Sequence, residues 1–205
     1  MKIAVIGGTG FVGSAVVAEA LSRHHEVTSA TRKATPTPGA QALALQLDDT
    51  QKIVELASNN DATIIAVPGG RGDDGSQVIA AHRSLIAALS EQAPSARIIV
   101  VGGAGSLLTQ EGTRLVDTEG FPADYKPEAL AFSQVLQDYR QAADSLNWTF
   151  VSPSPEFTTA ERTGSYRVGG DQPAGEAISV ADFAVALIDE AEKNTHSRER
   201  FTVAN

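Results

Sequence analysis

The chain holds 205 residues, 42% of them hydrophobic, with a formal charge of -9 and no cysteine. That length buries one good core without forcing a split, so residues 1–205 are expected to form a single domain. The acidic balance argues against a nucleic-acid surface, which needs clustered cations in excess, and the missing cysteines exclude disulfides, thiolate nucleophiles and cysteine metal sites.

No apolar run approaches the roughly 18 residues of a membrane span, and the 2–6 run is too short for a signal-peptide core. The expectation is a cytoplasmic protein, monomer or homodimer, with a small-molecule substrate and neither membrane nor nucleic acid as partner. His24, His25, His82 and His196 show no HxxxH or HExxH spacing, so they read as solvated helix-surface residues and no metal site is expected.

In chain order, KIAVI (2–6) is a first strand, and GGTGFVG (7–13) leads into a helix over 11–23, where apolar residues recur at three-to-four spacing. A second strand covers 26–30. TRK and the loop ATPTPGA (34–40) follow, then a weaker strand over 42–47, whose alanine and glutamine content suits a strand poorly. A helix over 50–58 precedes a strand over 62–67, the turn VPGG, a helix over 76–92 and the strand RIIVV (97–101).

A helix over 127–146 opens with Pro127 and Glu128, where proline loses no hydrogen bond and an acid suits the positive end of the dipole. A sixth strand spans 148–151. Beyond Pro153 the rhythm breaks, and 158–177 reads as turns with a small hairpin. Ser179 then caps a last helix over 180–193. Runs such as IIAV and RIIVV lack polar alternation, as strands covered on both faces do, so the fold class is α/β: a doubly wound parallel sheet between two helix layers.

Strand, glycine turn, then helix is the arrangement in which a pyrophosphate rests on bare N–H groups at a helix start. Gly8, Gly10 and Gly13 satisfy G-x-G-x-x-G; Gly7, Gly10 and Gly13 equally satisfy G-x-x-G-x-x-G. A dinucleotide would meet the main chain of Gly7, Thr9, Gly10, Phe11, Val12 and Gly13; a turn needing positive φ is the plainer alternative. At the end of the second strand, NAD-binding chains carry an acid for the ribose hydroxyls. Here Arg32 and Lys33 stand instead, suited to a 2′-phosphate, which favours NADP(H) over NAD(H). Asp48 suits either an adenine edge or the N-cap of the next helix. Val67, Pro68, Gly69 and Gly70 form a turn expected to close over the ribose and diphosphate.

GGTGFVG, VVGGAGSL (100–107), NWTFVSPSPEF (147–157), ERTGSYRVGGD (161–171) and ISVADFAVALIDE (178–190) together resemble the short-chain dehydrogenase/reductase superfamily. The closer likeness is to its atypical members, the NADH-flavin reductase and NAD(P)H-binding group, which is similar to biliverdin and flavin reductases and to NmrA-like regulators. The resemblance covers nearly the whole chain. It implies a Rossmann-type sheet with the nicotinamide over the carboxyl ends of the central strands and a small irregular portion, 154–180, shaping the substrate pocket. It places Ser106 as the catalytic contact, with Ala104 the alternative if the alignment slips by two, and Gly103, Ser152, Pro153 and Ser154 against the coenzyme. Phe157 and Tyr166 are candidates to stack on a flat acceptor, although core burial is the commoner use of such rings.

One departure matters. Tyrosine-dependent members use Tyr-x-x-x-Lys, but Tyr125, Tyr139 and Tyr166 are followed four places on by Ala129, Ala143 and Gly170. Alcohol dehydrogenation by that dyad and sugar-nucleotide epimerisation are disfavoured. The expected activity is NAD(P)H-dependent reduction of a flavin (FMN or FAD) or quinone-like acceptor, where the protein mainly aligns two rings. The alternative is a non-catalytic NAD(P)-binding redox sensor; an isomerase or ether-forming enzyme would need an acid or base that the sequence does not supply.

Overall fold

Where apolar β-branched runs are unbroken, strands form, and the computed structural model, which describes residues 1–69 and 75–205, places them in one sheet. The elements in chain order are β1 (Lys2–Ile6), α1 (Phe11–Ser22), β2 (Glu26–Thr31), β3 (Gln41–Ala44), α2 (Thr50–Ser58), β4 (Ala62–Ile65), α3 (Ser76–Gln92), β5 (Arg97–Val101), α4 (Lys126–Gln141) and β6 (Asn147–Pro153). Then come β7 (Glu156–Thr158), β8 (Arg167–Gly169), β9 (Ala177–Ser179), α5 (Val180–Lys193) and β10 (Glu199–Ala204). The main sheet runs β3-β2-β1-β4-β5-β6-β10-β8, and every pairing in it is parallel except β10 with β8. Its first six positions follow the doubly wound Rossmann order.

Strand side chains alternate between two apolar layers. Ile6, Ile65, Ile98, Val100, Trp148 and Phe150 face the layer that α2, α3 and α4 cover. Ile3, Val5, Ile64, Ile99 and Val151 face the layer under α1 and α5. Trp148, Phe150 and Phe183 are at most 1% exposed, and burial of each such ring is worth roughly 1.5–3 kcal/mol. Ser179 caps α5 as expected, its side chain accepting from the Asp182 N–H.

The structure departs from the sequence reading at several points. The third strand spans Gln41–Ala44 and is a largely exposed edge, which explains its weak apolar signal. β4 ends at Ile65 and α4 at Gln141, with a 3-10 turn over Ala143–Ser145. The hairpin expected within 158–177 is absent: β8 pairs antiparallel with β10, and β7 pairs parallel with β9. The rhythm also resumes after Pro153, since α5 leads into β10, which lies parallel beside β6.

His82 corrects the reading of the histidines as solvated. It is 0% exposed in α3, with Nδ1 3.2 Å from the Tyr139 hydroxyl. Burial pulls its pKa down from 6.5 to about 4, opposed by Asp138. The folded protein therefore holds a neutral imidazole that the unfolded chain protonates first. Stability contributed by this residue is complete above pH 6.5 and falls as the pH drops towards 4, by about 3 kcal/mol in all. Urea unfolding across that window should show a shallower pH slope for His82→Gln than for the natural protein; an unchanged slope would remove the effect.

Candidate coenzyme site

Gly7 leaves β1 at φ +87°, a left-handed conformation that side chains resist, and its N–H donates to the Ala30 carbonyl at 2.8 Å. A Cβ here would lie 2.5 Å from the Ala66 carbonyl oxygen. The Gly7 carbonyl accepts from the Gly10 N–H at 2.9 Å, and a Cβ on Gly13 would stand 2.1 Å from that same oxygen. These contacts tie Gly7, Gly10 and Gly13 together; Gly8 lies instead against β2, where a Cβ would meet Ser29 Oγ at 2.4 Å.

Gly10 differs from these three. It is exposed, and a Cβ would find only the Gly7 oxygen at 3.2 Å and the Ala66 oxygen at 3.9 Å. It is also the N-cap of α1, with no side-chain cap and no acid in the first turn. The first-turn amides of Phe11, Val12 and Gly13 lie at the uncompensated positive end of the helix, where no intrahelical acceptor exists for them. Thr9 is exposed beside them. These groups fit a diphosphate.

Parallel strands bring their carboxyl ends to one edge. Beside the glycine turn, Arg32 and Lys33 follow β2, exposed and without an ion pair among the described residues. The exit of β4 abuts Gly7 through Ala66; Val67 is half-buried, Pro68 exposed, and the Gly69 N–H donates to Glu128 Oε1 of α4 at 2.8 Å. Gly70 lies outside the described residues. After β5, a Cβ on Gly102 would strike the Phe150 ring, whereas one on Gly103 meets nothing within 4 Å. Ser106, in the 3-10 turn Ala104–Ser106, is 8% exposed and its hydroxyl has no partner among the described residues.

Other expected residues are placed differently. Asp48 is exposed, but the cap of α2 is Asp49, whose carboxylate accepts from the Gln46 N–H and makes no side-chain cap. Ser152 and Pro153 belong to the end of β6, in register with Thr202 and Val203, instead of a free loop. The Ser152 hydroxyl accepts from Arg200 at 3.4 Å and that of Ser154 donates to the Val203 carbonyl at 2.8 Å. Phe157 stands between Phe11, edge-on at 5.7 Å, and the buried Phe183, edge-on at 5.1 Å.

Tyr166 is not brought to the glycine turn. Its hydroxyl donates to Asp189 at 2.9 Å, beside Arg23 at the opposite end of α1, and burial together with that acidic partner raises its pKa. Glu128, read from sequence as a dipole partner, also holds the β4 exit, a contact across 59 positions that no local pattern announces. A recess lined by Lys2, Thr28, Gln41, Leu43 and Asn59 contains none of the expected residues.

The order of the strands reverses between β1 and β4, and outside their carboxyl ends is where open α/β sheets bind ligands. At that edge of the Rossmann-type sheet the glycine turn, the start of α1 without a side-chain cap, and Arg32 and Lys33, which have no ion pair among the described residues, lie together. The family profile described as NAD(P)H-binding matches residues 7–193, and the chain belongs to that family.

The uncharacterized protein YwnB of Bacillus subtilis is 40% identical over 213 aligned residues, which cover 100% of this chain and 99% of YwnB. Among solved structures, a Streptococcus pneumoniae protein described as "a putative NADH-flavin reductase" is 35% identical, with TM-score 0.82 and 100% and 99% of the two chains covered. A Bacteroides thetaiotaomicron "putative epimerase" is 32% identical, with TM-score 0.85 and 99% and 96% covered.

Two glycines separate binding from folding. Gly10→Val should leave the thermal midpoint within a few degrees while removing coenzyme binding, because the new side chain enters the diphosphate's space. Gly13→Val should instead lower the midpoint sharply, by the overpacking cost of about 1–3 kcal/mol or more. Coenzyme titrations and melting curves on both variants check this; retained binding in Gly10→Val would make the turn purely structural.

Proposed function

We propose that the protein is an NAD(P)H-dependent reductase passing hydride to a small conjugated acceptor of flavin or quinone type, with NADP(H) as the favoured coenzyme. The observation that carries the reading is the start of α1, without a side-chain cap, beside Arg32 and Lys33 at the end of β2, two cations with no ion pair among the described residues. The coenzyme, when bound, supplies the hydride. The main chain of residues 9–13 binds the diphosphate, and Arg32 and Lys33 pair with a 2′-phosphate, the arginine by its planar fork and the lysine as a point charge.

Ser106, buried and with no hydroxyl partner among the described residues, offers a hydroxyl to a carbonyl or amide group at the β5 exit. Main-chain groups at the end of β6 and the open space at Gly103 border the same region, and Phe157, with Phe11 on one side and Phe183 on the other, forms an apolar wall. Glu128 steadies the β4 turn. Hydride transfer to a flat acceptor asks the protein for alignment and exclusion of water, not for a strong acid or base, which matches a chain lacking the Tyr-x-x-x-Lys dyad. The Streptococcus relative's description supports the same reading. No described helix is long and apolar enough to cross a membrane, and the reading places a one-domain monomer or homodimer in the cytoplasm.

Reversing both charges, Arg32→Asp with Lys33→Asp, should weaken NADPH relative to NADH by about tenfold or more, equivalent to about 1.4 kcal/mol. Equal losses for both coenzymes would remove the case for phosphate recognition. The natural protein should oxidise NADPH when given FMN, FAD or a quinone. Tight binding without turnover across that panel would contradict the reductase reading and favour a sensor.

A further inference from the structure

Between β2 and β3 the chain crosses an exposed loop, 32–40, yet its first four residues are tied to Thr31 more closely than a connection needs. Thr31 gathers three N–H groups. Its carbonyl accepts from Ala34 at 3.3 Å and from Leu45 at 3.0 Å, and its hydroxyl accepts from Thr35 at 2.9 Å. Thr31 itself is 8% exposed, so its two acceptor oxygens belong to a buried residue even though the loop they hold lies at the surface. The bond from Ala34 to Thr31 closes a four-residue turn whose two central positions are Arg32 and Lys33.

The same turn ends on Ala34 at φ +49°, the left-handed region that a residue with a side chain enters at a cost. Such a conformation persists where its surroundings over-determine it, and it concentrates at binding sites. Further along, the Thr37 hydroxyl returns to Ser29 Oγ at 3.4 Å, and Ser29 is the residue that Gly8 lies against. The loop is thereby joined through β2 to the glycine turn.

We propose that Thr31 is a positioning residue for coenzyme choice: through its hydroxyl and carbonyl it holds the strained 31–35 turn that presents Arg32 and Lys33 to a phosphate-bearing ribose. The inference rests on the reading of those two cations as the phosphate-binding pair. Long basic side chains on a loose loop lose rotamer and backbone freedom when they engage a phosphate; on a turn already fixed, the backbone part of that loss is removed beforehand. Selectivity for the phosphorylated coenzyme then depends on a residue with no charge of its own.

The experiment compares affinities for NADPH and NADH in the natural protein, Thr31→Val, Thr31→Ser and the double variant Arg32→Ala with Lys33→Ala. Valine keeps the volume and strand preference of threonine but lacks the hydroxyl. Thr31→Val should weaken NADPH by about fivefold, the worth of one ordinary hydrogen bond, with NADH changed by less than about twofold. Thr31→Ser should restore the natural ratio. Should Thr31→Val fail to fold, Ala34→Val serves instead, since a β-branched residue resists positive φ and predicts the same selective loss, while Ala34→Gly should keep the natural ratio.

Equal losses for both coenzymes, an unchanged ratio, or a serine variant no better than valine would overturn the proposal. If the double variant loses its NADPH preference while Thr31→Val keeps it, the turn inference falls and the phosphate reading stands. If the double variant keeps its preference, the phosphate reading falls, and this inference with it.

Discussion

The carbonyl oxygen of Gly7 is the point on which the site is built. It receives the Gly10 N–H and lies where any side chain on Gly13 would stand, while Gly7 itself faces the Ala66 carbonyl with no room for a Cβ. Three elements, β1, α1 and β4, thus meet backbone to backbone. A methyl group on Gly13 would force the start of α1 away from the Gly7 carbonyl, and one on Gly7 would force the turn away from the β4 exit. The close approach that makes the packing tight also fixes where the first-turn amides stand, with no side-chain cap on them.

The other end of α1 is held by charge. Glu19, buried in the helix, accepts two bonds from Arg162 and one from Arg23, and Arg23 also pairs with Asp189 and Glu192 near the end of α5. The bonds from Arg162, working against burial, and those from Arg23 hold the Glu19 carboxyl below its usual range. Asp182 fixes the adjoining segment through the Thr163 and Gly164 N–H groups and the Asn205 amide. With one end set by backbone contact and the other by this network, α1, whose start is the proposed phosphate cradle, is held at both ends by the protein itself. Preorganisation of this kind lowers the ordering cost of binding. It also explains Tyr166: its ring packs against the α1 and α5 layer and its hydroxyl completes the network, which removes it from the coenzyme edge.

Much of this was legible in the sequence, for physical reasons. Strands buried on both faces draw on apolar and β-branched residues, so β1, β2, β4, β5 and β6 announced themselves, and the glycine run leading into α1 marked a turn with no room for a Cβ at Gly7, Gly8 or Gly13. Residues whose task is set by local chain geometry, such as Gly7, Gly10, Gly13 and the Ser179 cap, were readable in the same way. What stayed hidden depends on partners far along the chain. β8 is three residues long and exists through β10, the Gly69 bond comes from Glu128, and the burial of His82 is decided by how α3 and α4 lie together over the sheet. The left-handed Ala34 was unreadable because alanine gives no sign of positive φ. The sequence left Gly7 and Gly8 as alternative first glycines of the pattern, and both are sites where a Cβ has no room.

The most direct measurement is calorimetric titration of the purified protein with NADPH and with NADH. Heat for one binding site per chain is expected with both coenzymes, the phosphorylated one held more tightly. No detectable heat with either would contradict the coenzyme reading at the root, since a helix start that cradles no diphosphate leaves the whole carboxyl edge without the role assigned to it.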